Sequence, residues 1–234
     1  MLQSLGVAAN PICASQGFEG NSYSVCRVDL RVMRLELFNL DDKATPFGSF
    51  DALSESLKSA GKDLKFAMNA GMFDENLKPI GLYIEDGIQS KKLNRRDGYG
   101  NFHLKPNGVF YIAGDHLGVV STDDYSRLAV KPDFATQSGP MLVIDGTIHP
   151  KFSETGTSYK MRNGVGMFDA QTAIFVISEN AVSFYAFAKF FRDGLKCVNA
   201  LFFDGSVSSL YSPELGRNDG FVPLGPMVGA VTLR

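Results

Sequence analysis

The stretch ALFFDGSVSSLY, residues 200–211, decides the fold and the position of the candidate site. Its apolar first half predicts a buried strand. Asp204, Gly205 and Ser206 then end the strand, because these residue types allow a sharp turn and present oxygens and amides there. A carboxylate held by a rigid strand is well placed for chemistry, so Asp204 is the leading candidate for catalysis. The alternative is an aspartate that only stabilises its own turn.

Two other segments combine an apolar strand with small and amide-bearing residues: FAMNAGMF (66–73) and TQSGPMLVIDG (136–146). Three such strand ends in one chain predict a single composite site. The candidate residues in these two segments are Asn69, Gly71, Ser138 and Gly139. For Asn69 the alternative is a side chain that stabilises the turn before the glycine.

Length and composition predict one globular domain. The chain has 234 residues, 44% of them hydrophobic, and no Pro/Gly-rich linker divides it. A net charge of -2 gives no reason to expect a nucleic-acid partner. No apolar run approaches the roughly 18 residues of a membrane span.

The pattern predicts more strands than helices. Residues 28–38 alternate between apolar and polar, with a change of parity that predicts one strand with a bulge near Val32. Asp86-Gly87 and Asp145-Gly146 each lie between apolar segments and predict hairpins. Further paired strands are predicted for 109–113 with 118–121 and for 165–168 with 173–178.

Two helices are predicted. One runs from the cap Ser49 to the stop Gly61, and the other covers residues 184–193 after the cap Ser183. The fold class is therefore α+β: a single strand-rich domain with a mixed or antiparallel sheet and two main helices.

The sequence lacks the motifs of several common enzyme classes. His103, His116 and His149 are far apart, and no H-E-x-x-H or C-x-x-C motif is present, so we expect no zinc site. The chain also lacks a G-x-S-x-G elbow, a G-x-G-x-x-G fingerprint and a P-loop. We expect no cofactor, with an oxygen-ligated calcium ion at Asp-rich turns left open.

The pair Arg162-Asn163 precedes the glycine-rich strand GVGMF. An isolated arginine is usually a solvated surface charge. Beside a carboxylate and amides, its planar fork matches the oxygens of a phosphate group. Arg162 is therefore a candidate anion clamp.

The N-terminal region carries two of the three cysteines. Cys13 and Cys26 can pair in an exported protein, whereas in the cytosol they would stay reduced. Cys197 lies among apolar residues in the sequence, so we expect a small buried hydrophobic side chain there. We assign residues 1–17 to a leader or the remnant of an export signal, and residues 18–234 to the domain.

Seven segments, in order along the chain, resemble the phosphodiester glycosidase family, and more closely its small, often exported bacterial members. They span nearly the whole domain and are NAGMF, PIGLYIEDG, GNFHLKPNGVF, TQSGPMLVIDG, RNGVGMF, FVISENAVSFYAFA and NALFFDGSVSSLY. Many members carry Asp-Gly-Gly where this chain has Asp204-Gly205-Ser206. This departure leaves room for a different substrate choice, while it has little bearing on membership of the family.

The resemblance implies hydrolysis of the bond between a sugar anomeric carbon and a phosphodiester oxygen. A phosphate ester leaves as an anion, so a strong general acid matters less than an arginine clamp. Arg162 would then clamp the phosphate, Asp204 would act as base or stabilise the cationic sugar, and Asn69 would supply amide donors. The substrate-binding candidates are Gly71, Ser138, Gly139, Asn163, Gly205 and Ser206.

The expected substrate is a sugar phosphate or glycoconjugate of the cell envelope, and the expected location is periplasmic or extracellular. One alternative is a non-catalytic saccharide- or cell-wall-binding domain with the same pocket. Another is a phosphodiesterase that cleaves the P–O bond, which normally needs a metal-ligand cluster. The sequence gives no expectation for the oligomeric state.

Overall fold

The computed structural model describes residues 11–233, which form strands, short helices and tight turns. The strands are β1 (Cys13–Phe18), β2 (Asn21–Asp29), β3 (Arg34–Phe38), β4 (Lys62–Asn69), β5 (Tyr83–Glu85), β6 (Ile88–Lys91), β7 (Gly108–Ala113), β8 (His116–Ser121), β9 (Phe134–Ser138), β10 (Met141–Ile144), β11 (Thr147–Ile148), β12 (Asn163–Met167), β13 (Thr172–Ser178), β14 (Ala200–Phe202), β15 (Leu210–Ser212), β16 (Arg217–Asn218) and β17 (Met227–Leu233). The α-helices are α1 (Phe50–Ser59), α2 (Thr122–Tyr125) and α3 (Phe184–Lys189), and α3 continues into a short π-helix (Phe190–Gly194).

The strands form three sheets. The first sheet has the order β1-β2-β13-β12-β14-β10-β11, the second β16-β15-β4-β17-β3, and the third β6-β5-β9-β7-β8. Neighbouring strands run antiparallel, as in the β13–β2 and β17–β4 pairs. The expected strand-rich α+β domain is therefore confirmed, and its sheets are antiparallel.

The main core lies between the three sheets. It joins Phe175 of the first sheet and Phe203, which follows β14, to Phe66 of the second sheet and Phe110 of the third, all of them buried. A second core fills the space between the first sheet and α3, and a third lies between the second sheet and α1. Because each of these two sheets is covered on both faces, the strands β13 and β14 of the first and β17 of the second are buried along most of their length.

Both predicted helices are confirmed. The hydroxyl of Ser49 accepts a hydrogen bond from the Ala52 amide at the start of α1, and the hydroxyl of Ser183 does the same for Ala186 at the start of α3. The hairpin turns at Asp86 and Asp145 are confirmed, because each residue has a positive φ and joins two paired strands. Among the described residues, no helix has the length and apolar character needed to cross a membrane.

The prediction of one bulged strand over residues 28–38 is wrong. The carbonyl of Asp29 accepts hydrogen bonds from the amides of Val32 and Met33, and this turn ends β2. The chain then enters β3, which belongs to the second sheet. The change of parity marks a crossing between sheets, and Val32, 70% exposed, lies at the tip of the turn.

The pairing of β1 with β2 brings Cys13 and Cys26 opposite each other, where they form a disulfide. This pairing was left open by the sequence. β1 also takes residues 13–17 into the first sheet, so the domain begins before the boundary expected at residue 18. The remaining part of the expected leader, residues 1–10, lies outside the described residues.

We predict that replacing both cysteines, Cys13→Ala with Cys26→Ala, lowers the free energy of unfolding by about 2–3 kcal/mol, because the bond restricts a short loop of the unfolded chain. Urea unfolding with and without reductant would measure this. Reductant should destabilise the wild type and leave the double variant unchanged. Two freely alkylated thiols at these positions in the native protein would contradict the assignment.

Candidate active site

The candidate residues gather at one end of the first sheet. β14 ends there, and its antiparallel neighbour β12 begins there, with the amide of Phe203 donating to the carbonyl of Asn163 at 3.1 Å. On the other side of β14, the amide of Phe202 donates to the carbonyl of Pro140 at 3.1 Å. Antiparallel pairing therefore brings the loops after β14, before β12 and before β10 side by side.

The side chain of Asn163, at the start of β12, links the loop after β14 to the end of β4. It is fully buried, and its Nδ2 donates to Oδ1 of Asn69 at 2.7 Å and to the carbonyl of Asn69 at 3.1 Å. Its Oδ1 accepts a hydrogen bond from the amide of Asp204 at 3.0 Å. One amide group therefore joins the end of β4 in the second sheet to the Asp204 loop of the first.

Asn69 is the centre of this network on the second sheet. Its Oδ1 also accepts a hydrogen bond from the amide of Ser209 at 2.9 Å, so it holds the chain on the far side of the Asp204 loop. Its Nδ2 is buried and has no hydrogen-bond partner among the described residues. A buried donor without a partner is costly, so Asn69 keeps one unused hydrogen-bonding group inside the site.

Asp204 is half-buried and closes its own turn. Its Oδ1 accepts a hydrogen bond from the amide of Ser206 at 2.8 Å, and its carbonyl accepts one from the hydroxyl of Ser208 at 2.7 Å. Burial raises the pKa of Asp204 above its ordinary value, and backbone hydrogen bonds offset part of that rise. Asp204 therefore does stabilise its own turn, which was the alternative considered from the sequence.

Arg162 is 1% exposed and points to the opposite face of the sheet from its neighbour Asn163. Its Nε donates to the carbonyl of Val182 at 3.0 Å and its Nη2 to the carbonyl of Ser158 at 2.7 Å. The guanidinium lies over the ring of Phe184, with Cζ 3.5 Å from the ring centre. The surface-charge alternative is therefore wrong for this residue.

No carboxylate of the described residues forms an ion pair with this guanidinium, and burial lowers the pKa of Arg162 to about 10. Carbonyl oxygens and an aromatic face supply only part of the solvation that a cation loses on burial. A buried cation without a counter-ion favours the approach of an anion.

The small residues hold the loops close together. Gly139 faces Asn107, where an added Cβ would lie 2.5 Å from the Asn107 side chain, and Gly71, with a φ of 98°, faces Thr136. At Gly205 an added Cβ would lie 3.2 Å from the carbonyl of Met161. These glycines allow the loops to approach each other closely. Their substrate-binding role expected from the sequence stays a prediction.

The two serines named from the sequence differ. The hydroxyl of Ser138 is buried and donates to the carbonyl of Phe203 at 2.7 Å, so it fixes β9 against the end of β14. Ser206 is exposed at the tip of the turn. Hydrogen bonds thus connect Asn69, Ser138, Asn163 and the backbone around Asp204, whereas Arg162 joins through its chain neighbour.

Sequence reasoning missed a charged group beside the site. Arg217 bridges Glu179, which follows β13 of the first sheet, and Asp219, which follows β16 of the second. Asp219 also accepts a hydrogen bond from the amide of Leu210 at 2.9 Å. The sequence feature that could have indicated this ion pair is the arginine and aspartate two residues apart in GRNDG (216–220). This network fastens the two sheets together next to Asn69.

Another carboxylate with a raised pKa lies elsewhere. Glu85 lines a cleft of about 760 Å³ beside β3. Burial raises its pKa to about 7, although the hydroxyl of Tyr83 donates to it at 2.9 Å. β5 pairs with Thr136 and Ala135 of β9, and this register places Glu85 beside Phe134, about 13 Å along the strand from Ser138. Glu85 is therefore not a second carboxylate of the Asp204 site.

We predict a pH-dependent contribution of Glu85 to stability. Since its pKa is raised in the folded protein, the stabilisation is present below about pH 4.5 and lost as pH rises through about 7. Glu85→Gln should reduce the difference between the unfolding free energies at pH 5 and pH 8 by up to about 3 kcal/mol. The control Glu75→Gln, at an exposed position, should leave this difference unchanged. Equal pH profiles for the wild type and Glu85→Gln would refute the prediction.

We also predict that Asn163→Ala lowers the unfolding free energy by about 2–3 kcal/mol, because the amide of Asp204 loses its partner inside the protein. The control Asn101→Ala, at an exposed position, should stay within about 0.5 kcal/mol of the wild type. Urea unfolding would measure both. Equal midpoints for the two variants would show that the Asn163 network contributes little.

Comparisons with known proteins agree with this architecture. A model of the phosphodiester glycosidase family matches residues 62–220. The Escherichia coli (strain K12) protein named Uncharacterized protein YigE is 38% identical over 184 residues, 79% of this chain and 72% of that protein.

Two solved structures share the fold. The catalytic domain of zebrafish N-acetylglucosamine-1-phosphodiester alpha-N-acetylglucosaminidase, auto-inhibited by its pro-peptide, has a TM-score of 0.63 and 17% identity over 93% of this chain and 80% of that one. A candidate exported protein of Burkholderia pseudomallei K96243 has a TM-score of 0.52 and 9% identity over 90% of this chain and 74% of that one. By its sequence, this chain belongs to the phosphodiester glycosidase family.

Proposed function

We propose that the protein is a hydrolase that cleaves a sugar 1-phosphodiester at the glycosidic C–O bond next to the phosphate. The observation that carries the proposal is a buried guanidinium without a counter-ion, Arg162, one strand away from a carboxylate of raised pKa, Asp204. An anion binder next to a carboxylate suits a reaction in which a phosphate leaves a sugar. Family membership supports the same reaction class.

We infer that the two side chains lie on the same face of the first sheet. The guanidinium of Arg162 lies 5.5 Å from the ring centre of Phe202. Side chains alternate along an extended chain, so Asp204, two residues after Phe202, is expected on the same side. This supports a substrate lying across the ends of β14 and β12, with the sugar towards Asp204 and the phosphate towards Arg162.

In the proposed reaction the bond from the anomeric carbon to the phosphate oxygen breaks, and its electron pair leaves with the phosphate. Arg162 stabilises the charge that develops there. Asp204, as carboxylate, stabilises the positive charge on the sugar or takes the proton of the attacking water. Water then forms the new bond to the anomeric carbon, which gives a free sugar and a phosphate monoester.

Asn69 and Asn163 have a positioning role in this proposal. Both side chains are fully buried, and their hydrogen bonds go to one another and to backbone amides of the Asp204 loop. They fix the carboxylate relative to the second sheet, which is the precision that a catalytic group needs. The unused Nδ2 of Asn69 is the one group of this pair left to bind a sugar hydroxyl or an ordered water.

We further propose that the protein acts outside the cytoplasm on a glycoconjugate of the cell envelope. The disulfide between Cys13 and Cys26 supports an oxidising compartment. The likeness to a candidate exported protein points the same way.

We predict that Asp204→Asn and Arg162→Lys each lower kcat by about 100-fold or more. The amide lacks the carboxylate's charge, and an ammonium cannot reproduce the guanidinium's planar fork. The substrate is an aryl phosphodiester of N-acetylglucosamine. Release of free sugar and aryl phosphate indicates cleavage of the C–O bond, and release of sugar phosphate and phenol indicates cleavage of P–O.

Matched controls exist for both substitutions. Asp145→Asn changes an exposed Asp-Gly turn of the same sheet, and Arg27→Lys changes an exposed arginine over the ring of Phe168. Both should keep wild-type kcat. A wild type that binds sugar phosphates without turnover would favour the saccharide-binding alternative, and Asp204→Asn at the wild-type rate would remove Asp204 from the chemistry.

We predict that kcat/KM falls on acidification at a higher pH than an ordinary aspartate would give, since burial raises the pKa of Asp204 and the proposed mechanism needs the carboxylate. Rates measured between pH 4 and pH 8 with the aryl diester would test this. An acid limb that persists unchanged in the residual activity of Asp204→Asn would assign it to another group.

A further inference from the structure

A cleft of about 600 Å³ lies beside β6, the edge strand of the third sheet. Its volume is within the range of small-molecule sites. The end of β6, the segment that follows it and Ile80 form its lining. Four of the lining side chains are cations, and no acidic residue of the described chain joins them there: Lys91, Lys92, Arg95 and Arg96. We call it the basic cleft.

Most of these cations have no partner within the described protein. Arg95 forms an exposed ion pair with Asp123 at 3.1 Å. The side chains of Lys91, Lys92 and Arg96 form no ion pair or hydrogen bond with any described residue. Because the whole chain has a net charge of -2, the positive charge of the cleft is a local feature. Neighbouring cations without counter-ions repel one another, and a bound anion would relieve that repulsion.

The backbone that carries the cations is held in place by buried hydrogen bonds. The side chain of Gln137, 1% exposed, accepts a hydrogen bond from the amide of Asn94 at 2.8 Å and donates one to the carbonyl of Asn94 at 2.7 Å. The side chain of Asn94 donates to the carbonyl of Ile80 at 3.0 Å and accepts from the amide of Arg96 at 3.1 Å. Since this backbone is ordered before a ligand arrives, less entropy is lost on binding.

Gln137 also fixes the position of the basic cleft relative to the proposed active site. The next residue of β9 is Ser138, whose hydroxyl donates to the carbonyl of Phe203, immediately before Asp204. Successive side chains of a strand point to opposite faces, so β9 contacts the basic segment from one face and the end of β14 from the other. The basic cleft and the Asp204 loop are therefore held at the same end of β9.

The arrangement of the cations suits a chain of phosphate groups. Four cations occur within residues 91–96, and six extended residues span up to about 20 Å, which is longer than a single phosphate group. Lysine binds phosphate oxygens as a point charge and arginine as a planar fork. A flat bilayer would contact the rim of a concave cleft more than its lining. No aromatic side chain of the described residues lines the cleft, so nucleic-acid bases would have nothing to stack on.

We propose that the basic cleft is an anion-binding site, separate from Arg162, that holds consecutive phosphate groups of a linear polymer. The inference goes beyond the proposed function and does not depend on it, because neither Asp204 nor Arg162 enters the argument. Binding there keeps the protein on a phosphate-rich polymer, with the Asp204 loop beside the bound chain.

The test measures the binding of a fluorescently labelled linear polyphosphate by fluorescence anisotropy. The test variant carries Lys91→Gln, Lys92→Gln and Arg96→Gln. The control variant has the same net charge and carries Lys43→Gln, Lys58→Gln and Lys196→Gln, all at exposed positions. The wild type and the control should bind with similar affinity. The test variant should bind at least ten-fold more weakly, because each cation beside a dense row of anionic groups adds to the affinity.

The salt dependence of the affinity gives a second measurement. The affinity of the wild type should fall more steeply with salt concentration than that of the test variant, because each contact between a cation and a phosphate releases a counter-ion from the polymer. Equal affinities or equal salt slopes for the test and control variants would overturn the proposal, as would a wild type that does not bind polyphosphate.

Two further ligands distinguish the polymer from other sources of phosphate. Competition by orthophosphate as strong as that by unlabelled polyphosphate, at equal phosphate concentration, would indicate a site for one phosphate and overturn the polymer. Cosedimentation with phosphatidylglycerol vesicles without binding to polyphosphate would replace the polymer with a bilayer. Asp204→Asn should bind polyphosphate as the wild type does, so a failure of the proposed hydrolysis and a failure of this site are separate results.

Discussion

The candidate site depends on one buried side chain, Asn163. Its amide group donates to the end of β4 and accepts from the amide of Asp204, so a single planar group sets the position of the second sheet relative to the loop that carries the carboxylate. An amide suits this position because it offers donors and an acceptor at once. An aspartate could not donate to Asn69, and an apolar residue would leave the Asp204 amide unpaired in a buried place.

The neighbouring residue, Arg162, has a separate task because side chains alternate along an extended chain. It faces α3, where two backbone carbonyls and the ring of Phe184 hold the guanidinium. None of these groups carries a negative charge, so the cation stays uncompensated within the described residues. Burial of such a group costs stability, and a bound anion would offset that cost. One dipeptide thus supplies both the fixed frame and the electrostatic attraction of the proposed site.

The Asp204 loop also explains how the chain tolerates its departure from Asp-Gly-Gly. Ser206 is exposed at the tip of the turn, where its amide donates to the carboxylate of Asp204. The side chain of a serine there points away from the packed interior. Gly205, by contrast, approaches the carbonyl of Met161 too closely for a Cβ without a shift. The turn therefore requires a glycine at position 205, whereas position 206 accepts a side chain.

Local patterns in the sequence determined the helices, the hairpins and most strands. Ser49 and Ser183 cap their helices by bonds within three residues, and Asp-Gly turns need only their own backbone geometry. The strand end at Asp204 was readable for the same reason, since its turn is closed by hydrogen bonds to its own neighbours. Interactions of this short range leave a signature in consecutive residues.

Tertiary structure alone decided the rest. The parity change near Val32 fits both a bulge and a crossing between sheets, and only the partners of β3 distinguish them. Asn163 was predicted to bind substrate, but its side chain forms hydrogen bonds with Asn69 and Asp204, which are 94 and 41 residues away in the sequence. Arg162 was predicted to bind an anion, but the carbonyls that fix its guanidinium, those of Val182 and Ser158, belong to other loops. Pairing over such distances depends on how the sheets pack, and no local pattern of residues records it.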